Sequence, residues 1–383
     1  MKNNFKQHSS IRSIVICIIL LLSVSPISLL SKNITAGKRF IVTKPAEYSS
    51  FFQRNEGWTG ADGDYSVTLS KNKILWIYGD TWIGKIKNGK HIDSTLVNNS
   101  IAIQHGKDPR QAKIKYYWKK NEGGKHQAFI TPTDGKGWYW FYDGVRVKNG
   151  LYLFLMQIDR TEDKSAFGFK SVGNWVAYIP NPDDSPEKWQ IKQHKIPFST
   201  FSVGGLRQFG SAVMKHGDYV YIYGAKEEKK DKILKRYMIV ARVKTGEMGD
   251  FDKWRFYTEN GWSSDYKKCK KIIGDIANEY SVTYMPDMKK FIAIFTEGGL
   301  SPWIVMSSSE NPYGPWDNPE RIYKCPEADN KKGIFCYAAK AHPQLLHLKN
   351  ELIVTYITNT YDFKQLENDA SLYWPIFIKI KFK

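Results

Sequence analysis

Asp62, Asp64, Asp80, Asp143, Glu279 and His342 are the side chains whose types and spacing in this chain are suited to chemistry. Asp62 and Asp64 fall in Gly60-Ala61-Asp62-Gly63-Asp64, and Asp80 falls in Gly79-Asp80-Thr81-Trp82. Carboxylates held within a few ångströms raise one another's proton affinity, as burial does. One acid is then kept protonated near neutral pH while another stays ionised. Glycoside hydrolysis uses that division: one acid protonates the leaving oxygen, and the other activates water or attacks the sugar carbon. Each residue also has a plainer reading. Asp62, Asp80 and Asp143 could cap turns, as Asp often does. Asp64 is read rather as a solvated rim residue, and His342 before Pro343 would serve equally as a hydrogen-bonded core histidine. Glu279 opens an apolar strand, where a charge is hard to explain structurally.

These residues sit apart in sequence, so a repeated element must gather them. Five copies of a hairpin are visible. They open at Asp64, Asp143, Ser211, Glu279 and His342, which lie 79, 68, 68 and 63 residues apart. Their turns fall at Lys71-Asn72-Lys73, Lys148-Asn149-Gly150, His216-Gly217-Asp218, Pro286-Asp287-Met288 and Lys349-Asn350. Period-two alternation between such turns is the hairpin signature. Each interval is long enough for a four-stranded sheet. Sheets that cannot bury both faces alone stack around an axis, which predicts an all-β, five-bladed β-propeller. A sandwich or two unrelated β-domains is the competing arrangement. Pro375–Phe382 alternates well and is expected to pair with Arg39–Thr43. In a propeller the first strand of each blade lines the central channel, so the five opening residues meet at one end of it. With a three-residue first turn, Asp64 pairs opposite Asp80; the same count puts Glu279 close to Glu297. Trp58, Trp82 and Trp303, near these strand ends, could stack on sugar rings, although core packing explains tryptophans as well.

Residues 1–31 differ from the rest. Lys2, Lys6 and Arg12 precede an apolar run from Ile14 to Leu30 that Ser23, Ser25, Pro26 and Ser28 interrupt. This is the layout of a secretory signal, cleaved or retained as an anchor. The expected organisation is therefore a signal peptide or anchor over 1–31 and a propeller over 32–383. The product is exported, monomeric, and in contact with a membrane only through an uncleaved N-terminus. The net charge is +19, or +16 without the three basic residues of that segment. Such a balance suits nucleic acid, a membrane surface or an acidic glycan. Its lysines are scattered, however, and the densest runs, Lys226–Lys232 and Lys267–Lys271, lie between strand-like segments. They read as solvated surface, with no nucleic-acid partner. Four cysteines include Cys17 in the apolar run; Cys325 and Cys336 could close a loop in an oxidising compartment, leaving Cys269 over. No pair has structural-zinc spacing.

Gly57-Trp58-Thr59-Gly60-Ala61-Asp62-Gly63-Asp64-Tyr65-Ser66-Val67, followed by Leu75-Trp76-Ile77-Tyr78-Gly79-Asp80-Thr81-Trp82, resembles the opening of a bacterial family catalogued as domain of unknown function 4185. Asn99-Ser100-Ile101-Ala102, Asp143-Gly144, Gly210-Ser211-Ala212-Val213, Glu279-Tyr280-Ser281-Val282 and Lys340-Ala341-His342-Pro343 fit as well. That family is similar to five-bladed-propeller glycosidases, and some members are endo-D-arabinanases. The resemblance implies hydrolysis of a furanosidic polysaccharide of arabinan type. Asp62 and Asp80 would be the acid/base or nucleophile pair, with Asp143 and Glu279 tuning charge or binding substrate. Asp64, Trp58, Trp82, Asn99, Ser211, Trp303 and His342 are the expected substrate contacts. In the related furanosidases a channel histidine helps hold a metal, which makes a structural calcium near His342 the one cofactor to test; no second ligand is evident. A non-catalytic glycan-binding propeller is the alternative.

Overall fold

The computed structural model describes residues 39–383 apart from 149, 164–167, 203–204, 231–232, 331–332 and 346–347. The signal-or-anchor segment and Cys17 lie outside the described residues. Among the described residues, no helix is long and apolar enough to cross a membrane.

The fold is all-β. Five hairpins form its inner framework: β1 (Tyr65–Ser70) with β2 (Lys73–Tyr78), β3 (Trp138–Val147) with β4 (Gly150–Arg160), β5 (Gly205–His216) with β6 (Tyr219–Lys230), β7 (Tyr280–Met285) with β8 (Lys290–Thr296), and β9 (Ile334–Ala341) with β10 (Glu351–Thr360). Each belongs to its own antiparallel sheet of four or more strands. In the last of these sheets Ile376–Phe382 pairs with β10 and also with Phe40–Thr43, which joins the two ends of the described chain.

Alternation decides which neighbour each sheet meets. On β2, Leu75 and Ile77 enter a cluster shared with the β3–β4 sheet. Ile74, Trp76 and Tyr78 point the other way, into a cluster with Ile353 and Phe377 of the β9–β10 sheet. Both faces are therefore covered, which is why β2 is buried almost throughout rather than on alternate residues. The opening strands touch in chain order, β1 to β3, β3 to β5, β5 to β7 and β7 to β9. Hydrogen bonds tie several of these contacts. The Val213 amide donates to Asp143 Oδ2 at 2.7 Å, and the Ala341 amide donates to Ser281 Oγ at 2.8 Å. Just past β9, His342 Nδ1 and Ser66 Oγ of β1 lie 2.7 Å apart.

Two details differ from the expectation. The first turn holds two residues, Lys71 and Asn72, with a bulge at Leu69, so Tyr65 pairs with Ile77. This register continues to Ala61 opposite Thr81, where a second small sheet begins (Glu56–Ala61, Thr81–Lys87, Lys90–Val97). Asp62, not Asp64, is therefore opposite Asp80. At the fourth hairpin Tyr280 pairs with Phe295, which sets Glu279 against Thr296. Glu297 lies one residue further and forms an ion pair with Arg321 at 2.7 Å. The three described cysteines are buried thiols, and those of Cys325 and Cys336 interact with each other.

Candidate active site

Two cavities lie at opposite ends of the bundle of opening strands. The larger, a cleft of about 1000 Å³, is lined by Asp62 and Glu279 just before β1 and β7, by Asp80 just after β2, and by Tyr142 and Tyr337 within β3 and β9. The smaller, about 640 Å³, is lined by the later residues of the same strands, including Val67, Asp143, Met214, Thr283 and His342. A septum built around Tyr65, Lys340 and Ser211 lies between them.

Asp62 and Asp80 are held by the ladder itself. The Asp62 amide donates to the Asp80 carbonyl at 3.2 Å, and the Gly79 amide donates to the Asp62 carbonyl at 3.0 Å. Directly opposed residues project to the same face of a ribbon. Gly79 leaves room for this arrangement, because a Cβ there would collide with Asp62 Oδ1. One oxygen of each carboxyl is anchored. Asp62 Oδ2 accepts from the Tyr337 hydroxyl at 2.7 Å and the Tyr373 hydroxyl at 2.8 Å. Asp80 Oδ1 accepts from Trp140 Nε1 at 2.8 Å and Asn98 Nδ2 at 3.2 Å.

Environment separates the pair. Burial, then the charges of Asp80 and Glu279, raise Asp62 to about 8 against the pull of its two phenols. Burial also raises Asp80, but the Trp140 and Asn98 hydrogen bonds and the nearby Arg160 hold it to about 6. Near neutral pH, Asp62 favours its protonated form and Asp80 its ionised form. Proton donor and proton acceptor thus face each other across one ladder position.

Glu279 reaches the same cleft, where its Oε1 accepts from Lys340 Nζ at 3.2 Å. Asp143 does not reach it. A bulge between Phe141 and Gly144 turns Tyr142 toward the cleft and Asp143 toward the far cavity. There its two oxygens accept from the Gly144 and Val213 amides, both at 2.7 Å. Burial raises it to about 7, opposed by those amides and by Lys340. Its position is that of a staple between two sheets.

The expectation that Asp64 is a solvated rim residue is overturned: it is 0 % exposed. Its backbone there is left-handed, with a φ of 50°. Burial drives its carboxyl well above the usual range, partly offset by Lys340. Trp58 and Trp82 are core residues, stacked on Tyr116 and His91 respectively. Trp303 lies outside the cleft beneath Arg321 and Lys324. The aromatic cleft wall is instead Trp138, Trp140 and Phe169 on one side, with Phe335, Phe363 and Tyr373 also lining it. Asn99 is fully buried and spent on backbone: it donates to the Ile130 and Tyr139 carbonyls and accepts from the Ile130 amide, each at 2.9 Å. Ser211 is buried in the septum, where its carbonyl accepts from the Tyr65 hydroxyl at 3.1 Å.

His342 does not suit a metal. Nδ1 is hydrogen-bonded with Ser66 Oγ and Nε2 with Thr355 Oγ1, both at 2.7 Å, so neither nitrogen has a lone pair to spare. Burial, with the Lys340 charge, lowers the imidazole to about 3. Calcium needs six to eight oxygen ligands. Among the described residues, no three His, Cys, Asp or Glu side chains are grouped to hold an ion.

A family model described as "Domain of unknown function (DUF5005)" matches residues 45–382. The chain belongs to that family. It is a different family model from the one the motifs resemble. No curated protein matches the chain. Among solved structures, a candidate hydrolase from Bacteroides ovatus superposes with a TM-score of 0.69 at 19 % identity, over 89 % of this chain and 90 % of that one. That similarity shows a shared fold. An α-L-arabinofuranosidase from Podospora anserina, solved with cellotriose, is more distant. Its TM-score is 0.44 at 9 % identity, over 85 % and 92 % of the two chains. The catalytic domain of an α-L-arabinofuranosidase from Coprinopsis cinerea has a TM-score of 0.44 at 8 % identity, over 86 % and 92 %.

Proposed function

We propose that this protein is an exported glycoside hydrolase, built on a five-bladed β-propeller, that cleaves a furanosidic polysaccharide of arabinan type. The observation that carries the reading is the opposed pair Asp62 and Asp80, one favouring its proton and the other its charge, at the foot of an aromatic-walled cleft. Asp62 gives its proton to the glycosidic oxygen as the bond to the anomeric carbon breaks. Asp80 takes a proton from the water that replaces the leaving group, or attacks that carbon first and is released by water. In either course one water is consumed and the proton returns to Asp62. Glu279 accepts from a sugar hydroxyl. The aromatic wall offers faces on which sugar rings stack. The five sheets and their touching first strands support the propeller. The motif resemblance to a family that includes endo-D-arabinanases favours the furanosidic substrate. The basic, apolar N-terminal segment supports export.

The test is product analysis on purified D- and L-arabinans, reading reducing ends and product size. Wild type is expected to shorten one of them. Asp62→Asn and Asp80→Asn should each lose at least roughly 10²–10⁴-fold in turnover, the contribution of a positioned acid or base. Unchanged turnover in both variants sinks the assignment. A wild type that retains glycan without shortening it marks a glycan-binding propeller instead.

A further inference from the structure

Lys340 stands out because it is a lysine that is almost wholly buried. It is 1 % exposed, and no other lysine or arginine is fully buried among the described residues. An ammonium ion removed from water costs several kcal/mol unless a partner compensates it. Its hydrogen bond goes to Glu279 Oε1 at 3.2 Å, and its Nζ sits 4.3 Å from the centre of the Tyr65 ring. Lys340 lines the far cavity while Glu279 lines the cleft, so their ion pair spans the septum. A β-bulge makes this possible. Between Tyr337 and Lys340 the register slips, with Ala338 at a φ of +58°. A bulge re-aims the side chains on either side of it: Tyr337 goes to Asp62 in the cleft, and Lys340 goes to the axis.

Resting on the hydrolase reading above, we propose that Lys340 is a positioning residue that acts through Glu279, fixing Oε1 to the septum so that Oε2 is presented to a sugar hydroxyl in the cleft. The ammonium never touches substrate. Asp64 and Asp143 feel its charge, but neither is hydrogen-bonded to it, and Glu279 is the one acid it can aim.

Five proteins test this: wild type, Lys340→Met, Glu279→Gln, the double variant and, as the conservative control, Lys340→Arg. Kinetics on the cleaved glycan should show Lys340→Met losing roughly 10²-fold in kcat/KM, the scale of a misplaced contact. The double variant should be no worse than Glu279→Gln alone, and Lys340→Arg should recover most of the loss. Two other patterns are distinguishable: a lysine acting independently of Glu279 gives losses that multiply, and a purely structural one leaves activity per folded molecule unchanged in Lys340→Met. Either result overturns the proposal. Thermal unfolding of the same set needs no substrate. If the pair exists, Lys340→Met, which leaves Glu279 alone, has the lower midpoint, and the double variant recovers part of it. Strictly additive midpoints also overturn the proposal. Coupled midpoints with a wild type that cleaves no glycan would leave the ion pair standing and remove the hydrolase reading.

Discussion

Replacing Asp62 by asparagine should stop turnover and stabilise the protein, and the gain should depend on pH in a specified direction. An ordinary aspartate releases its proton near 3.8, whereas Asp62 does so near 8. Between those limits the folded chain binds a proton that the unfolded chain has lost. Stability therefore falls as pH rises from about 4 and levels off above about 8. Each tenfold change in proton affinity is worth about 1.4 kcal/mol. The roughly three decades between 3.8 and pH 7 set an upper bound of about 4 kcal/mol on the penalty. Asp80 and Glu279 share the interaction, and neighbouring effects are not additive, so about 2 kcal/mol is the expected recovery. The substituted amide cannot ionise in either state, and its carbonyl oxygen can still accept from Tyr337 and Tyr373. Thermal unfolding of wild type and Asp62→Asn from pH 4 to 8.5 reads the effect directly. The two curves should meet near pH 4 and separate as pH rises, by a few degrees at neutrality. An asparagine variant that is less stable at pH 8, or a gap independent of pH, would refute the claim that Asp62 is held protonated.

The pH profile of kcat/KM should be a bell, rising through about pH 6 as Asp80 ionises and falling above about pH 8 as Asp62 does; a single limb across pH 5–9 contradicts the pairing. In the double variant Tyr337→Phe/Tyr373→Phe, the two phenols that favour the Asp62 carboxylate are gone, so the falling limb should move to higher pH. A limb that moves down or stays in place counts against those hydrogen bonds. Asn99→Ala removes three buried backbone hydrogen bonds and should cost about 2–4 kcal/mol in unfolding experiments. Activity per folded molecule should persist, since Asn99 lies outside the cleft, and selective loss of activity would restore it as a substrate contact.

What the sequence disclosed was the repeat. Five turns rich in Gly, Asn, Asp and Pro, each followed by an apolar strand, mark five hairpins because turn chemistry is local and a period of two is easily seen. Asp62, Asp80 and Glu279 were legible as acids at strand ends: Glu279 opens an apolar strand, and Asp62 and Asp80 sit beside glycines at the ends of the first hairpin. Features that depend on register were not. A bulge adds one residue to one strand and has no side-chain signature, yet bulges decide where Asp143 and Lys340 point. A one-residue slip exchanges the two faces of a strand. Counting the first turn as three residues put Asp64 opposite Asp80, whereas the two-residue turn and the bulge at Leu69 set Asp62 there instead. Tryptophans at strand ends could not be sorted into wall and core without knowing which face they occupy; the cleft took Trp138 and Trp140, while Trp58 and Trp82 went inside.

Lys340 was the hardest to read, because a lysine in a strand is ordinarily taken as a solvent-facing residue. Only the packing of the sheets shows that it is buried. Tyr373 shares this difficulty, since it reaches Asp62 across 311 residues from a segment without strand pattern. Both residues govern the charge state or placement of an acid that the sequence did reveal. In this fold the acids proposed to react are announced by local pattern. The groups that tune them arrive through long-range packing, and that is where substitutions should change pH dependence and specificity without touching the acids themselves.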